Sequence, residues 1–321
     1  MVLKAEDPER AFQHERNSDN RTIILAGATG ALGQLIASYL VQRKARVRAL
    51  VRKDSSRIAI SKLKELGVEI LEVDFNNAAE LIHACQNGDC VVSAVSGLHK
   101  VIIDLQSRLL QAAVEAGVPR FIPSDYCIDF TKLPQGTNRN LDLRREFQVK
   151  LDQAPIKATS ILNGMFTDLL TGQAPVILFK LKRVLYWGNA NQPLDFTTMD
   201  NTAEFTAAAA LDPDTPRFLK IAGEVASIQD LKKAASEVTG EKFKLLWAGS
   251  LGVLKAMITV TKTLMPTSND VFPPWQGMQY LHNMLSGLPK LDKLDNNRYP
   301  EIKWTSVKEV LAKKIESKKG N

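Results

Sequence analysis

The residues with the clearest chemical meaning form a glycine-rich turn within TIILAGATGALGQLIASYL, residues 22–40. Gly27, Gly30 and Gly33 have the spacing G-x-x-G-x-x-G. The first glycine permits a tight bend, the second lets the backbone approach a pyrophosphate, and the third allows close helix packing. An apolar run precedes the turn and a helix-period segment follows it, as a helix start that binds phosphate requires. The predicted phosphate-binding residues are Gly27, Thr29, Gly30, Ala31, Leu32 and Gly33.

A basic pair bears on which dinucleotide this turn would bind. Sites that select NAD place an acid about twenty residues after the glycines, where it bonds the ribose hydroxyls. Nineteen residues after Gly33 this chain has Arg52, followed by Lys53. A guanidinium can grip a 2′-phosphate and stack on adenine, which favours NADP(H) as the cofactor. The neighbouring Asp54 keeps open the alternative that Arg52 is simply a polar strand end.

Other candidate cofactor contacts lie where later apolar runs end. Asp74, in LEVDFNN, is placed either to bond the adenine amino group or to cap the next helix. The small residues of SAVSG fit a position where backbone passes beneath a dinucleotide. These candidates are Asp74, Phe75, Ala94, Val95, Ser96 and Ser124.

The elements that must position these residues alternate between short apolar runs and helix-period segments from Arg21 onward. Runs that are apolar on both faces and rich in Val and Ile are typical of buried parallel strands. The predicted strands are TIILAG, VRALVR, VEILEVD, CVVSAV, RFIPSD and KATSILN. This alternation predicts an α/β fold with a Rossmann-like, doubly wound parallel sheet.

The alternation weakens after Asn163. ILFKLKRVLYWGNANQPLDFTTM indicates a strand, a turn and a return strand, and DNTAEFTAAAALD indicates a helix capped by Asp200 or Asn201. The predicted parts are a flexible arm over 1–20, an NADP(H)-binding domain over 21–164 plus about 195–226, and a smaller, mostly helical substrate lobe over about 165–194 and 227–321.

Composition excludes several classes of protein. The 321 residues carry a net charge of +7, which would suit an anionic partner, but no DNA-binding pattern accompanies it. Cys85, Cys90 and Cys127 cannot all pair and match no zinc spacing, which favours a reduced, cytoplasmic protein without a metal site. The longest apolar stretch, LGVLKAMITVTKTLM, is too short to span a membrane, so a partly buried helix is expected. The oligomeric state stays open.

Five motifs together resemble one family: AGATGALGQLI, VRALVRKD, VVSAVSG, QAAVEAGVPRFIPSDY and ATSILNGMF. They resemble the NmrA-like and isoflavone-reductase-like branch of the atypical short-chain dehydrogenases. The likeness covers nearly the whole chain after Arg21 and is most specific in AGVPRFIPSDY. It implies a Rossmann-like domain that prefers NADP(H) and a C-terminal lobe that closes a substrate cleft.

The residues expected to carry catalysis depart from that family. Typical short-chain dehydrogenases use a Tyr-x-x-x-Lys pair, and we predict an atypical member that lacks a pair with this spacing. The resemblance implies a lysine acid–base near Arg144, but arginine polarises an oxygen rather than shuttling a proton. One hypothesis is that Tyr126 donates the proton and Arg144 lowers its pKa. Lys132, on the following loop, is a second candidate, although a solvated side chain is favoured there. The expected substrate contacts are Asp125, Tyr126, Asn163 and Phe166.

Two functions remain open at this point. The first is an NADPH-dependent reductase of a small aromatic, enone or carbonyl substrate bound in a cleft between the lobes. The second, implied by the NmrA side of the resemblance, is a non-catalytic NADP(H)-binding redox sensor that acts through a regulatory protein partner. An intact phosphate turn beside an incomplete acid–base set fits the sensor. Direct nucleic-acid binding is disfavoured, because only the net charge supports it.

Overall fold

A computed structural model describes residues 21–265 and 270–319, so the predicted arm over 1–20 lies outside the described residues. The centre is a six-stranded parallel sheet with the order β3-β2-β1-β4-β5-β6. Its strands are β1 (Thr22–Ala26), β2 (Arg46–Val51), β3 (Glu69–Glu72), β4 (Cys90–Ser93), β5 (Arg120–Ile122) and β6 (Lys157–Ala158). The order reverses between β1 and β4, as in doubly wound dinucleotide-binding sheets. The predicted Rossmann-like fold class is confirmed.

Helices cover both faces of this sheet. They are α1 (Ala31–Gln42), α2 (Arg57–Glu65), α3 (Ala78–Cys85), α4 (Gln106–Glu115), α5 (Arg139–Gln153) and α6 (Met199–Leu211). α1, α2 and α6 bury one face around Ile36, Leu63 and Phe205. α3, α4 and α5 bury the other around Leu109 and Phe147. Because both faces are covered, the strands are apolar on both sides, which is why they stood out in the sequence.

The segment predicted as one strand, KATSILN, forms two. β6 pairs with β5, whereas β7 (Ser160–Leu162) pairs with β12 (Phe218–Lys220). Phe121 lies opposite Ala158 and Cys127 opposite Leu162, so six steps along one strand match four along its neighbour. The two extra residues make the chain bulge after β5. Ser124 and Asp125, both predicted site residues, lie in this bulge.

The rest of the chain forms a smaller body with two three-stranded sheets, ordered β14-β10-β9 and β13-β11-β8. Its strands are β8 (Met165–Phe166), β9 (Ile177–Leu178), β10 (Arg183–Tyr186), β11 (Leu194–Thr197), β13 (Glu224–Ala226) and β14 (Lys244–Trp247). Its helices are α7 (Ile228–Thr239), α8 (Leu251–Leu264), α9 (Pro274–Leu285) and α10 (Val307–Lys319). They pack around a further core that includes Val184, Leu254 and Leu311. The division into two domains stays a prediction.

Three local expectations are decided here. The return strand β11 pairs with β8 and β13 rather than with β10, so that part of the predicted hairpin was wrong. The cap of α6 is Thr198, whose hydroxyl accepts from the Asn201 backbone N–H, and neither Asp200 nor Asn201 is the cap. The apolar stretch forms α8, in which Leu254 alone is fully buried. No helix in the described ranges is both long and apolar enough to cross a membrane.

Candidate active site

The turn between β1 and α1 requires glycine at its first and last positions. Gly27 has φ +79°, and a Cβ there would lie 2.5 Å from the Ala94 carbonyl oxygen. A Cβ on Gly33 would lie 2.1 Å from the Gly27 carbonyl oxygen. At Gly30 the nearest described atom to such a Cβ is the Gly27 oxygen at 3.3 Å, and the space above it is open. The turn is therefore closely packed below and open above.

The start of α1 presents free backbone donors on this open side. Gly30 is the helix cap, and within the described chain no side chain caps it and no acid occupies the first turn. Gly30 and Ala31 are exposed, while the Leu32 side chain packs against the core. The Gln34 amide donates to the Thr29 carbonyl at 3.0 Å and fixes the turn. Uncapped N–H groups at a helix start bind anions, so these residues fit a pyrophosphate.

Arg52 and Lys53 extend from the end of β2 beside this turn, and both are exposed. The Arg52 backbone N–H donates to the Ser55 hydroxyl at 3.0 Å. Its guanidinium Nε lies 3.4 Å from Asp54 Oδ1, with side chains 62% and 74% exposed. Such an exposed pair is weak, so Arg52 remains able to turn toward a phosphate.

Asp74 and Phe75 follow β3 at the same edge. Asp74 accepts two bonds from Asn76, one from the backbone and one from the side chain. Asn77 caps α3, so the alternative that Asp74 is the helix cap is excluded. Phe75 is buried against α3 and α4, and its carbonyl accepts from Arg108. Of these two predicted residues, Asp74 therefore has the exposed side chain.

The segments after β4 and β5 are joined by a short bond. The Ser124 hydroxyl donates to the Val95 carbonyl at 2.6 Å, and the Ser124 N–H donates to Gln106 Oε1 at 2.9 Å. Ala94 and Val95 are half-buried and Ser96 is exposed. Because β1 to β5 are parallel neighbours, the predicted cofactor residues after each strand all lie along one edge of the sheet.

Tyr126 points away from that edge. Its ring packs in the core between the sheet and the helices α1 and α6. Burial raises the pKa of Tyr126, the Thr206 hydroxyl lowers it, and Asp125 and Cys90 raise it further. Arg144 is not among the groups that shift this pKa, so the structure does not support the hypothesis that Arg144 activates Tyr126.

Asp125 points to the opposite face and is 1% exposed. Its Oδ2 accepts from the Ser160 hydroxyl at 2.7 Å, while Oδ1 has no hydrogen-bond partner among the described residues. Burial raises the pKa of Asp125, and Ser160, Arg144 and Arg217 lower it in part. The role of Asp125 as a substrate contact stays a prediction.

Arg144 extends from α5 into the same region. One guanidinium nitrogen donates to the Asn140 carbonyl at 3.0 Å, and Nε has no partner in the described structure. Burial lowers the pKa of Arg144, but Tyr280, Cys127 and Asp125 raise it by more, so the guanidinium stays charged. Burial raises the pKa of Tyr280 to about 12, although Arg144 lowers it. The charged guanidinium of Arg144 and the protonated phenol of Tyr280 therefore lie near each other, and both side chains are half-buried.

The Lys132 side chain is hydrogen-bonded to a segment far along the chain. Its ammonium donates to the Lys290 carbonyl and to Asp292, which belong to a segment that we call the strap, residues 288–296. The favoured reading of Lys132 as a solvated loop lysine does not hold either, because its side chain is only 30% exposed. A lysine held in this way does not support the acid–base role.

Asn163 and Phe166 lie where β7 ends and β8 begins. Asn163 is fully buried, with its amide 3.4 Å from the Thr202 hydroxyl and its backbone carbonyl bonded by Thr197. Its Oδ1 has no hydrogen-bond partner in the described ranges. Phe166 is half-buried against the core. These two positions stay predictions for the substrate side.

A family model described as the NmrA-like family matches residues 19–270. The chain belongs to the NmrA-like family. It is 30% identical to pinoresinol reductase 2 of Arabidopsis thaliana over 218 residues, which cover 63% of this chain and 68% of that protein. It is 24% identical to isoflavone reductase of Pisum sativum over 332 residues, covering 92% and 98%. The resemblance inferred from the motifs is confirmed.

Solved structures show the same fold at lower identity. AtPrR2 with NADP+ and (+)pinoresinol superposes with a TM-score of 0.77 at 21% identity, covering 91% of this chain and 98% of that one. The leucoanthocyanidin reductase–NADPH complex from Vitis vinifera has a TM-score of 0.76 at 17% identity, covering 92% and 99%.

Two roles in this NmrA-like chain were not assigned from the sequence. The sequence suggests Tyr280 only as an aromatic residue of a substrate-pocket wall or of the core, and its proximity to Arg144 depends on folding, because α9 is distant in sequence from α5. Gln106 did carry a signal, since it shares the apolar helix face of Leu109, Leu110 and Ala113 and is fully buried. A polar residue at a core position requires bonded partners.

The prediction that the chain lacks a Tyr-x-x-x-Lys spacing was wrong as stated, because Tyr299 and Lys303 have it. The Tyr299 hydroxyl donates to Asp212, which directly follows α6. Arg21, just before β1, bonds the Leu211 carbonyl at that helix end, so this tyrosine lies at the edge of the sheet opposite the glycine turn. The pair is therefore remote from the candidate site.

Proposed function

We propose that this chain is an NADPH-dependent reductase of a small aromatic substrate with a reducible enone or carbonyl group. The observation that carries the proposal is the glycine turn with its uncapped helix start, next to two exposed basic residues at the end of β2. Gly30 leaves open the space that a pyrophosphate would fill, and Arg52 supplies the charge that a 2′-phosphate requires. An acid at the position of Arg52 would instead favour NADH.

The relatives favour an enzyme over the non-catalytic sensor. They are pinoresinol and isoflavone reductases, and the structural neighbours include complexes with NADP+ and NADPH. Their named substrates are aromatic compounds, which supports the substrate class proposed for this chain. The sensor alternative is not favoured.

Within the reductase, Arg144 is the residue that we assign to the substrate oxygen. Bound NADPH supplies a hydride, and negative charge then develops on the oxygen of the acceptor group. Arg144 is positively charged and half-buried, and its buried Nε has no hydrogen-bond partner in the described structure. A fixed cation in such a place stabilises an oxyanion strongly. Tyr280, whose phenol keeps its proton at neutral pH, is the adjacent proton donor.

Nucleotide titration tests the proposal. We expect purified protein to bind NADPH at least about tenfold more tightly than NADH, because charge-assisted bonds to a phosphate contribute about 1.5–3 kcal/mol. Arg52→Asp should remove this preference. The matched control is Arg46→Asp, the same charge change at the exposed opposite end of β2, which should leave both affinities unchanged.

The second measurement is NADPH oxidation across a panel of aromatic enones and carbonyl compounds. Turnover of one or more members supports the reductase. Tight NADPH binding without turnover on any member would instead support the sensor. Binding of neither nucleotide would overturn both the cofactor assignment and the proposed function.

A further inference from the structure

Gln106 is a fully buried amide at the start of α4, on the face that packs against the sheet. A primary amide that is removed from water is costly unless both its donor and its acceptor are bonded. Its neighbours on that face, Leu109 and Leu110, are apolar. The hydrogen bonds made by the donor end and the acceptor end of the Gln106 side chain therefore indicate its role.

The donor end stabilises an irregular helical turn. Residues Lys100–Leu105, between β4 and α4, form a π-helical turn. The Gln106 backbone N–H bonds the carbonyls of Val101 and Ile103, whereas an α-helix would use that of Ile102. The Gln106 side-chain amide bonds the Ile102 carbonyl instead, at 3.1 Å. π-helical turns occur frequently at functional sites.

The acceptor end reaches the sheet edge. Gln106 Oε1 accepts from the Ser124 N–H at 2.9 Å, and the Ser124 hydroxyl donates to the Val95 carbonyl at 2.6 Å. Val95 follows Ala94, whose carbonyl oxygen lies so close to Gly27 that a Cβ there would be 2.5 Å away. A continuous series of contacts thus runs from α4 through the ends of β5 and β4 to the glycine turn.

We infer that Gln106 is a positioning residue for the nicotinamide half of the cofactor, an inference that rests on the proposed function. The 2′-phosphate end belongs at β2, beside Arg52, and a dinucleotide crosses the edge between β1 and β4. Its other half therefore extends over the segments after β4 and β5. Through Ser124, Gln106 fixes the Val95 carbonyl in this surface. The adenosine half lies on residues that Gln106 does not contact.

The test compares two ligands on the same protein. Adenosine 2′,5′-bisphosphate carries only the adenosine half with its phosphates, whereas NADPH adds the nicotinamide half. Gln106→Met keeps the side-chain length and removes both hydrogen bonds. We expect its Kd for NADPH to rise about tenfold while its Kd for the bisphosphate changes less than about twofold. The fluorescence of bound NADPH reports the nicotinamide environment, and it should be lower in Gln106→Met than in the wild type.

Two further variants keep the test informative. Gln111→Met makes the same change on the exposed side of α4, where the Gln111 side-chain amide donates to Glu115, and should leave both affinities unchanged. Ser124→Ala removes the hydroxyl bond to Val95 without touching the helix, and should weaken NADPH binding selectively even where Gln106→Met fails to fold. In the double variant, the losses of NADPH binding free energy should be less than additive, because both substitutions interrupt the same series of contacts.

Equal weakening of both ligands would show a general structural role and overturn the inference. Unchanged NADPH affinity in folded Gln106→Met or in Ser124→Ala would also overturn it. Failure of the wild-type protein to bind either ligand would instead overturn the proposed function.

Discussion

Arg144 shows how a single residue type limits the chemistry. A lysine at this position could exchange a proton, whereas the guanidinium of Arg144 stays charged beside Tyr280 and Cys127. In the proposed reductase, Arg144 would therefore stabilise charge and the proton would come from another group. Tyr280 is the neighbour that we propose for this, since burial raises its pKa to about 12 and keeps the phenol protonated.

At this scale we predict that Arg144→Met lowers kcat for NADPH oxidation about a hundredfold, the usual result of removing one group that stabilises an oxyanion. Tyr126→Phe is the comparison, and should keep kcat within about twofold because its ring lies in the core. Steady-state kinetics of both variants on a substrate found in the panel gives the two kcat values. NADPH affinity is measured in parallel. The opposite ranking would restore Tyr126 as the proton donor.

Other residue assignments could not be made from the sequence, because they depend on where a side chain points. Asp125 and Tyr126 are adjacent at the end of β5, yet they enter opposite faces of the sheet. Lys132 is on the expected loop, yet it bonds the strap. The positions were predictable along the chain, but the directions of the side chains were not.

At the scale of elements, the turn between β1 and α1 is set by backbone contacts. Gly33→Ala would place a Cβ 2.1 Å from the Gly27 carbonyl oxygen, so the helix must shift. We expect this variant to lose NADPH binding and to unfold at a lower temperature.

Gly277→Ala is the matched control for that prediction. Gly277 lies inside α9, is exposed and has no described heavy atom within 4 Å of its Cβ position. Alanine should raise the free energy of unfolding by about 0.5–1 kcal/mol there, because glycine is a poor helix former. Thermal denaturation of both variants checks the pair, and similar behaviour of the two would contradict it.

The elements of the sheet were predictable because parallel strands covered on both faces are apolar throughout. Caps and breaks were less predictable, since they depend on local geometry. Thr198 caps α6 although Asp200 and Asn201 are equally good cap types. KATSILN breaks into two strands because the neighbouring chain bulges after β5.

At the scale of the whole molecule, the strap joins β11 of the smaller body to β12, which pairs with β7. Lys290 pairs with Asp195 of β11, whose side chain is only 4% exposed, and Asp295 accepts from the Lys220 backbone at the end of β12. A buried carboxylate that loses its cation is strongly destabilising.

We therefore predict that Lys290→Met lowers the free energy of unfolding by about 3–5 kcal/mol in urea denaturation. Lys308→Met removes an exposed pair with Glu237 and should have little effect, because exposed ion pairs contribute little. Equal changes in the free energy of unfolding for the two substitutions would show that the burial of Asp195 does not strengthen the contribution of its ion pair.

Buried thiols should make the whole fold sensitive to alkaline pH. Burial raises the pKa of Cys85 to about 12 and that of Cys90 to about 11. Thiols in the unfolded chain ionise near about 8.5, so above that pH the native state holds protons that the unfolded state releases. The free energy of unfolding should then fall as the pH rises from about 8.5 toward 11.

Cys90→Ala tests this assignment. Under reducing conditions, its pH slope should be shallower by up to about 1.4 kcal/mol per pH unit in that range, because one proton fewer is coupled to unfolding. Urea denaturation at several pH values measures the slope. A slope identical to that of the wild type would show that Cys90 does not contribute.

The sequence by itself determined the family, the parallel sheet and the glycine turn with Gly27 and Gly33, and it placed Arg52 at the end of β2. These features follow from local rules: glycine where backbone approaches backbone, apolar runs where both faces are buried, and charge where a strand ends. The tertiary structure alone decided that Arg144 lies beside Tyr280 and that Gln106 reaches Val95 through Ser124. Such contacts join residues distant in sequence through the packing of whole elements, and no periodicity or spacing along the chain encodes that packing.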